Sequence, residues 1–383
     1  MRSRPAARVF VILPVVALIV GACGGAASST APSSAPVQSS APAASAPAAV
    51  SAAPAASSAA ASAAPGASTT GQTYTVTMAQ PAATIAGGPL YIAITNGYFA
   101  KHGIDFKFVT LNTATTVAQA LVSGSVQIAT GGAFDIVQED QKGAGYQVIE
   151  TFGSPTLQLC VSNAYAKAHN ITPSSPLDTI LTALKGAKVG LNGFGSPIKI
   201  PLLYLLKSHL NVDPNTYVKL ISLGSLPATE TAFQNGQIDL LLNSPPICAQ
   251  QPNGTVFTTW GFLPDFQGTP YQVFYGLKSW ISQNPGAAKG LAEAMAEAGA
   301  FEVQNPQQAA QVLHDKWFTT TSVSDIVGLI NQYYKTTIPP DGCMTQAGWQ
   351  KVNQIMVQSG LMTATPNPSE GGMWTNQYLS CGG

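Results

Sequence analysis

Arginine disappears from this chain after Arg8. Of the 17 lysines and arginines, three are Arg2, Arg4 and Arg8; the remaining 14 lysines face 17 aspartates and glutamates, so the body carries a charge near −3. A bidentate guanidinium clamp on sulfonate, carboxylate or phosphate is therefore excluded. Nucleic acid is excluded as a partner too, because neutralising phosphates needs a basic face. Enzyme signatures are equally scarce. The chain has no GxSxG elbow, no HExxH and no Walker loop, and Gly193-Phe194-Gly195 lacks the third glycine of a dinucleotide fingerprint. The histidines, His102, His169, His209 and His314, are scattered, which fits surface or capping roles and predicts neither metal nor cofactor. No CxxC pair occurs, and no apolar run beyond residue 23 is long enough to cross a bilayer as a helix.

What is present begins at the N-terminus. Arg2, Arg4 and Arg8 precede an apolar run from Val9 to Val20 that stops at Val20-Gly21-Ala22-Cys23. The run is too short for a membrane span and matches a secretory h-region with a small-residue cleavage site, so residues 1–22 read as an export signal. The end of the run resembles the lipobox of bacterial lipoproteins. That resemblance implies a diacylglycerol on Cys23 as the mature N-terminus and a membrane anchor; an ordinary secretory peptide with an incidental cysteine is the alternative. Residues 23–72 follow as a tether, nearly all Ala, Ser, Pro, Gly and Thr without charge or aromatic ring. Such a composition has little to bury against the entropy of ordering, and frequent proline counts against a long alanine helix.

From Thr73 onward the pattern alternates. Strands are expected at Tyr74–Met78, Phe106–Val109 and Val126–Thr130, with helices at Leu90–Ala100, Thr115–Val122 and Ala133–Gln141. The rhythm repeats with strands at Ala187–Leu191, Tyr217–Ser222 and Ile238–Leu242 and helices at Pro197–His209 and Ala228–Asn235. This is βαβ packing twice over, an α/β chain with parallel sheets in two similar halves. Beyond Pro285 it turns helical: Gly290–Gln304, Pro306–Lys316, Ser324–Tyr334 and Thr345–Ser359.

Several segments then carry a family resemblance in register. These are Pro89-Leu90-Tyr91-Ile92-Ala93, Asn96-Gly97-Tyr98-Phe99, His102-Gly103-Ile104-Asp105, Ala120 to Val126, Leu184 to Gly190, Ala232 to Asp239, and Asn284-Pro285 before a helix ending near Asn305-Pro306. Together they resemble the solute-binding proteins of the sulfonate, nitrate, taurine and thiamine-precursor (NMT1/THI5-like) family over about residues 73–306. The resemblance implies a type II periplasmic-binding-protein-like fold: two lobes, each a mixed, mostly parallel sheet flanked by helices, joined by a two-strand hinge. It places lobe one at 73–157 and 271–383 and lobe two at 158–270. It further implies a small-molecule solute held between the lobes, an ABC permease and its ATPase as partners, a monomer, and binding without catalysis. A secreted lyase or dehydratase reusing the fold is the competing reading. Most of the matching residues also have plain structural work as helix stops and core anchors.

The four cysteines beyond Cys23 are Cys160, Cys248, Cys343 and Cys381, an even number in an exported chain. Pairing Cys160 with Cys248 and Cys343 with Cys381 keeps each bond within one lobe; buried free thiols are the alternative. The ligand is expected at the carboxyl ends of the strands, where open α/β sheets bind small molecules. On the first lobe this selects Thr84, Gly87 and Gly88, then Gly131, Gly132 and Phe134. On the second it selects Gly193, Phe194, Gly195 and Ser196, then Gly224, and finally Asn243 and Ser244. Helix N-termini in these loops offer backbone N–H groups to an anion or a polar oxygen. Phe134, Phe194 and Trp260 are stacking candidates for a neutral or aromatic ligand, Ser196 doubles as a helix cap, and Lys199 reads as a solvated helix residue.

Overall fold

The computed structural model describes residues 72–80, 85–111, 114–153, 155–337, 339, 341–363 and 366–382. The expected signal, Cys23, the tether and Thr84 lie outside the described residues. Ten strands form two sheets. The first contains β1 (Tyr74–Gln80), β2 (Ile104–Thr110), β3 (Ile128–Gly132), β4 (Tyr146–Gly153) and β10 (Gln272–Leu277) in the order β2-β1-β3-β10-β4. The second contains β5 (Gln158–Ser162), β6 (Lys188–Leu191), β7 (Lys219–Ser222), β8 (Leu240–Asn243) and β9 (Gly254–Thr259) in the order β7-β6-β8-β5-β9. The orders are equivalent. β1 pairs parallel with β2 and β3, and β6 pairs parallel with β7 and β8. One antiparallel strand is let into each sheet: β10 lies between β3 and β4, and β5 between β8 and β9.

These two inserted strands arrive from the opposite sheet. The chain leaves the first sheet at the end of β4 and enters the second at the start of β5, then returns from the end of β9 to the start of β10. Both crossings therefore join strand-terminal rims, and the carboxyl ends of the parallel strands in both sheets lie on the crossing side.

Sequence periodicity found six of the ten strands and missed β4, β5, β9 and β10. Every residue of β4 and β5 is buried, so neither shows the alternation of a half-solvated strand, and polar Gln147, Glu150 and Gln158 interrupt their apolar runs. Other boundaries moved for local reasons. The expected helix Leu90–Ala100 is two helices, Gly88–Thr95 and Tyr98–Lys101, broken by Gly97 at φ +72°, a left-handed conformation that glycine adopts without strain. Asp213 caps a helical turn, Pro214–Tyr217, so β7 starts at Lys219. Helix Val323–Leu329 continues as a π-helical turn, Ile330–Tyr334.

The long helix Pro285–Gln304 packs on Gly88–Thr95 and closes the first lobe's core, which includes Met78, Leu90, Phe274, Leu291 and Met295. Sequence alone assigns residues 271–383 to the first lobe; in the structure the last helix of that segment touches both lobes. Helix Gln346–Gln358 packs on Ile200–Leu210 of the second lobe as well as on Ala133–Asp140 of the first. Lys351 Nζ also donates to the carbonyls of Pro264 and Gln267 in the second crossing, at 3.1 and 2.9 Å. Cys160 and Cys248 are disulfide-bonded with Cα atoms 5.7 Å apart, and Cys343 and Cys381 with Cα atoms 5.8 Å apart.

Candidate functional site

On the first rim the polar side chains are bonded to one another. Gln80 ends β1, is buried, and donates through Nε2 to the Tyr91 hydroxyl at 2.5 Å. Thr130, at the corresponding level of β3, donates to Gln80 Oε1 at 3.4 Å.

The helix N-termini of this rim are already occupied by the chain's own carboxyl groups. Gly88 opens helix Gly88–Thr95, and a β-carbon there would collide with the carboxyl of Glu302. Glu302 is 1% exposed, neither of its oxygens has a hydrogen-bond partner, and burial pushes its carboxyl up to about 8. At the next helix, Ala133–Asp140, Asp135 accepts the N–H of Gly132, half of a capping box, while the N–H of Ala133 donates to Tyr271 O at 2.8 Å. Burial raises Asp135 to about 7 despite that bond. A carboxyl therefore lies against Gly88 and against Gly132, whereas Gly87 lies against the Tyr91 ring and Gly131 against Ile136 and Tyr275.

The second rim is less complete. Gln158, at the start of β5 and opposite Asn243, donates through Nε2 to Thr259 Oγ1 at 3.1 Å and to the Tyr333 hydroxyl at 3.0 Å, while its Oε1 has no partner. Asn192 Oδ1, just past β6, is also without a partner. Ser196 is buried and does not cap its helix, and its hydroxyl bonds nothing. Ser225, by contrast, caps its own helix, Leu226–Gln234, accepting from the Ala228 N–H at 3.2 Å. Asn243 Nδ2 donates to Glu230 at 3.2 Å and Asn243 Oδ1 accepts from the Ser244 N–H at 2.8 Å. Burial raises the Glu230 carboxyl. Phe194 is 61% exposed between Gly193 and Gly195, beside which a β-carbon would meet nothing; Gly224 is likewise open at φ +87°.

Three aromatic and basic candidates take other roles. Phe134 is buried edge-on to Tyr271, and Trp260 is buried against Phe266, so both are core residues and neither presents a face to a ligand. Lys199 is half-buried and donates to the Phe194 carbonyl, and burial lowers its ammonium's pKa. A cavity of about 480 Å³ lies at the crossings, lined by Pro155, Gly261, Phe262, Phe266 and Thr269 among others, and shares no residue with the expected site. Phe262 stacks on Tyr333 at 5.1 Å there. The histidines sit elsewhere: His102 with Glu293 and Glu297, His209 with Asp178 and Asp265, and His169 stacked on Tyr165. Among the described residues no group of three or more His, Cys, Asp or Glu could hold a metal.

Sequence reasoning missed Gln80, Tyr91, Thr130, Gln158 and Glu302. One signal was available for Glu302. Leu291, Ala294, Met295 and Ala298 form the buried stripe of their helix, and position 302 continues it at helical spacing, where an acid is out of place.

Two similar sheets, each with one strand contributed across a double crossing, define a two-lobed α/β binding fold. The chain belongs to the NMT1/THI5 like family, whose model matches residues 86–309. YtlA of Bacillus subtilis (strain 168), which is assigned a binding role, is 24% identical over 289 residues, covering 74% of this chain and 83% of YtlA. The fold is similar to that of the periplasmic aliphatic sulphonate binding protein SsuA from Escherichia coli: TM-score 0.59, 17% identity, 77% of this chain and 90% of SsuA. It is also similar to the periplasmic nitrate-binding protein NrtA from Synechocystis PCC 6803: TM-score 0.58, 18% identity, 77% of this chain and 84% of NrtA.

Proposed function

We propose that this protein is an extracytoplasmic solute receptor that delivers a small organic molecule to an ABC importer. The observation that carries the reading is the set of buried side-chain oxygens without partners: Gln158 Oε1 and Asn192 Oδ1 at strand ends and Ser196 Oγ in the loop that follows, on the second rim, and the helical Glu302 carboxyl against Gly88 on the first. Buried polar atoms are rarely left unbonded, and a ligand gripped by both lobes would bond them. Family membership and the kinship with binding proteins of import systems support the same reading and weigh against a secreted enzyme. Lobe closure about the two crossings would present both lobes to the permease and its ATPase. The residues after Arg8 and the motif ending at Cys23 support export and lipid anchoring to the outer face of the cytoplasmic membrane, with the receptor acting as a monomer at the end of its tether.

Mass spectrometry of the full chain purified from native membranes tests this. A retained, chemically unchanged small molecule, together with a smaller radius of gyration by X-ray scattering than the stripped protein, is the expected result. Conversion of the compound to a product would overturn the receptor. Cys23→Ser should move the protein out of the membrane fraction; retention in the membrane would remove the lipid anchor.

A further inference from the structure

We infer that the solute presents a cationic, hydrogen-donating nitrogen, bound by Glu302 beside Gly88, and is not a sulfonate or nitrate. This rests on the receptor reading and narrows it. The rims hold acceptors and acids. Glu302 offers two unbonded carboxyl oxygens, and Gln158 and Asn192 each offer one amide oxygen. The unbonded indole donors, those of Trp260 and Trp349, are inside the core, each 1% exposed.

Charge agrees with this donor–acceptor balance. No arginine follows Arg8, and Lys199 is committed to the Phe194 carbonyl. The N-terminus of helix Gly88–Thr95, which would favour an anion through its dipole, has a carboxyl against it, and Asp135 holds the next one. An anion placed at Gly88 would have to displace the carboxyl that already lies against it. A protonated amine would instead give Glu302 the hydrogen bonds it lacks, and a buried charge-assisted pair is the strongest contact such a site can make.

Proton linkage makes the inference measurable. The Tyr334 hydroxyl is the titratable group that interacts with Glu302, burial pushes it up as well, and burial alone accounts for the raised carboxyl. In the empty protein Glu302 is therefore mostly protonated near neutrality. An amine must expel that proton, so its affinity should rise with pH up to about 8 and binding should release a proton. An anion bound by the protonated acid would show the opposite sign.

Calorimetry of the full chain with matched probes tests this: 2-phenylethylamine against phenylacetate, ethanolamine against ethanesulfonate, and nitrate, each at pH 6 and pH 8 in buffers of different ionisation enthalpy. The expected result is binding of an amine, at least tenfold tighter at pH 8 than at pH 6, with proton release. Glu302→Gln, nearly isosteric, should weaken that binding at least tenfold and abolish its pH dependence. A second variant, Glu302→Asp, keeps the charge and should restore part of the affinity if glutamine disturbs packing. Binding of phenylacetate, ethanesulfonate or nitrate, or amine binding untouched in both variants, would overturn the amine assignment and leave the receptor standing. No binding of any probe, together with no compound retained from native membranes, would overturn the receptor itself.

Discussion

In the first sheet the polar groups at the strand ends are bonded to each other, Thr130 to Gln80 and Gln80 to Tyr91, whereas in the second Gln158, Asn192 and Ser196 each keep an oxygen unbonded. The two sheets share a strand order, so this difference is not imposed by topology. It comes from what each rim has behind it. Helices Gly88–Thr95 and Pro285–Gln304 cover the first and supply Tyr91 and Glu302, while the second ends in open loops around Gly193, Phe194 and Gly224. The first rim carries one unmet acid and the second several unmet acceptors. Such a pair can discriminate at one point and adapt at others.

The largest effects should come from the covalent ties, one in each lobe. Cys160–Cys248 spans 88 residues and Cys343–Cys381 spans 38. Loop-closure entropy gives about 4.5 kcal/mol for the first and about 4 kcal/mol for the second. Replacing each pair by serines should lower stability in urea by amounts of that order. If Cys343→Ser with Cys381→Ser instead proved neutral, the C-terminal segment would be held by its packing on Val148 and by helix Gln346–Gln358 alone.

Next is the acid of the first wall. Glu302 sits at about 8 in the folded state against an ordinary 4.5, so between those values the unfolded chain has released a proton that the native protein keeps. Stability therefore falls as pH rises through that window, by about 3 to 4 kcal/mol between pH 5 and 8 from this group. Glu302→Gln should flatten that slope in chemical denaturation. An unchanged slope would mean the carboxyl is solvated or paired.

Smaller effects separate the rims most directly. Tyr91→Phe removes the acceptor of Gln80 Nε2 and leaves a buried amide donor unbonded, at a cost of about 1–3 kcal/mol. Ser196→Ala removes a hydroxyl that bonds nothing and should change stability by less than about 0.5 kcal/mol while weakening ligand binding. Equal destabilisation by both substitutions would erase the distinction between a prebuilt wall and a waiting one.

Much of this architecture was legible in the residues. Gly97, Ser123-Gly124 and Asn235-Gly236 punctuate helices as their chemistry requires, and the doubled βαβ rhythm located the parallel strands. The crossings were not legible. β4, β5 and β10 are buried on both faces and pair with strands distant in sequence, so their pattern carries no period and their partners no local signal. The loops that follow the parallel strands were legible for the same reason the helices were, through glycine and proline. The side chains that complete the rim were missed because they lie inside regular elements, Gln80 and Gln158 at strand ends and Glu302 on a helix.

Phe194 is the smallest lever and the sharpest on the second rim. With Phe134 and Trp260 in the core, it is the aromatic candidate from the sequence that still offers a face to solvent. Its neighbours Gly193 and Gly195 leave it free of packing, so Phe194→Ala should leave the unfolding midpoint unchanged within about 0.5 kcal/mol. If the ring closes over the solute, its removal should cost about 0.5–1.5 kcal/mol of affinity, roughly 2- to 12-fold by calorimetry, mainly as faster dissociation. That loss should add to the loss from Glu302→Gln, because the two residues sit on different sheets' rims and no hydrogen bond or ring contact links them. Strong non-additivity would show that the lobes read the solute together, and unchanged affinity would leave the second rim to Asn192, Ser196 and Gln158.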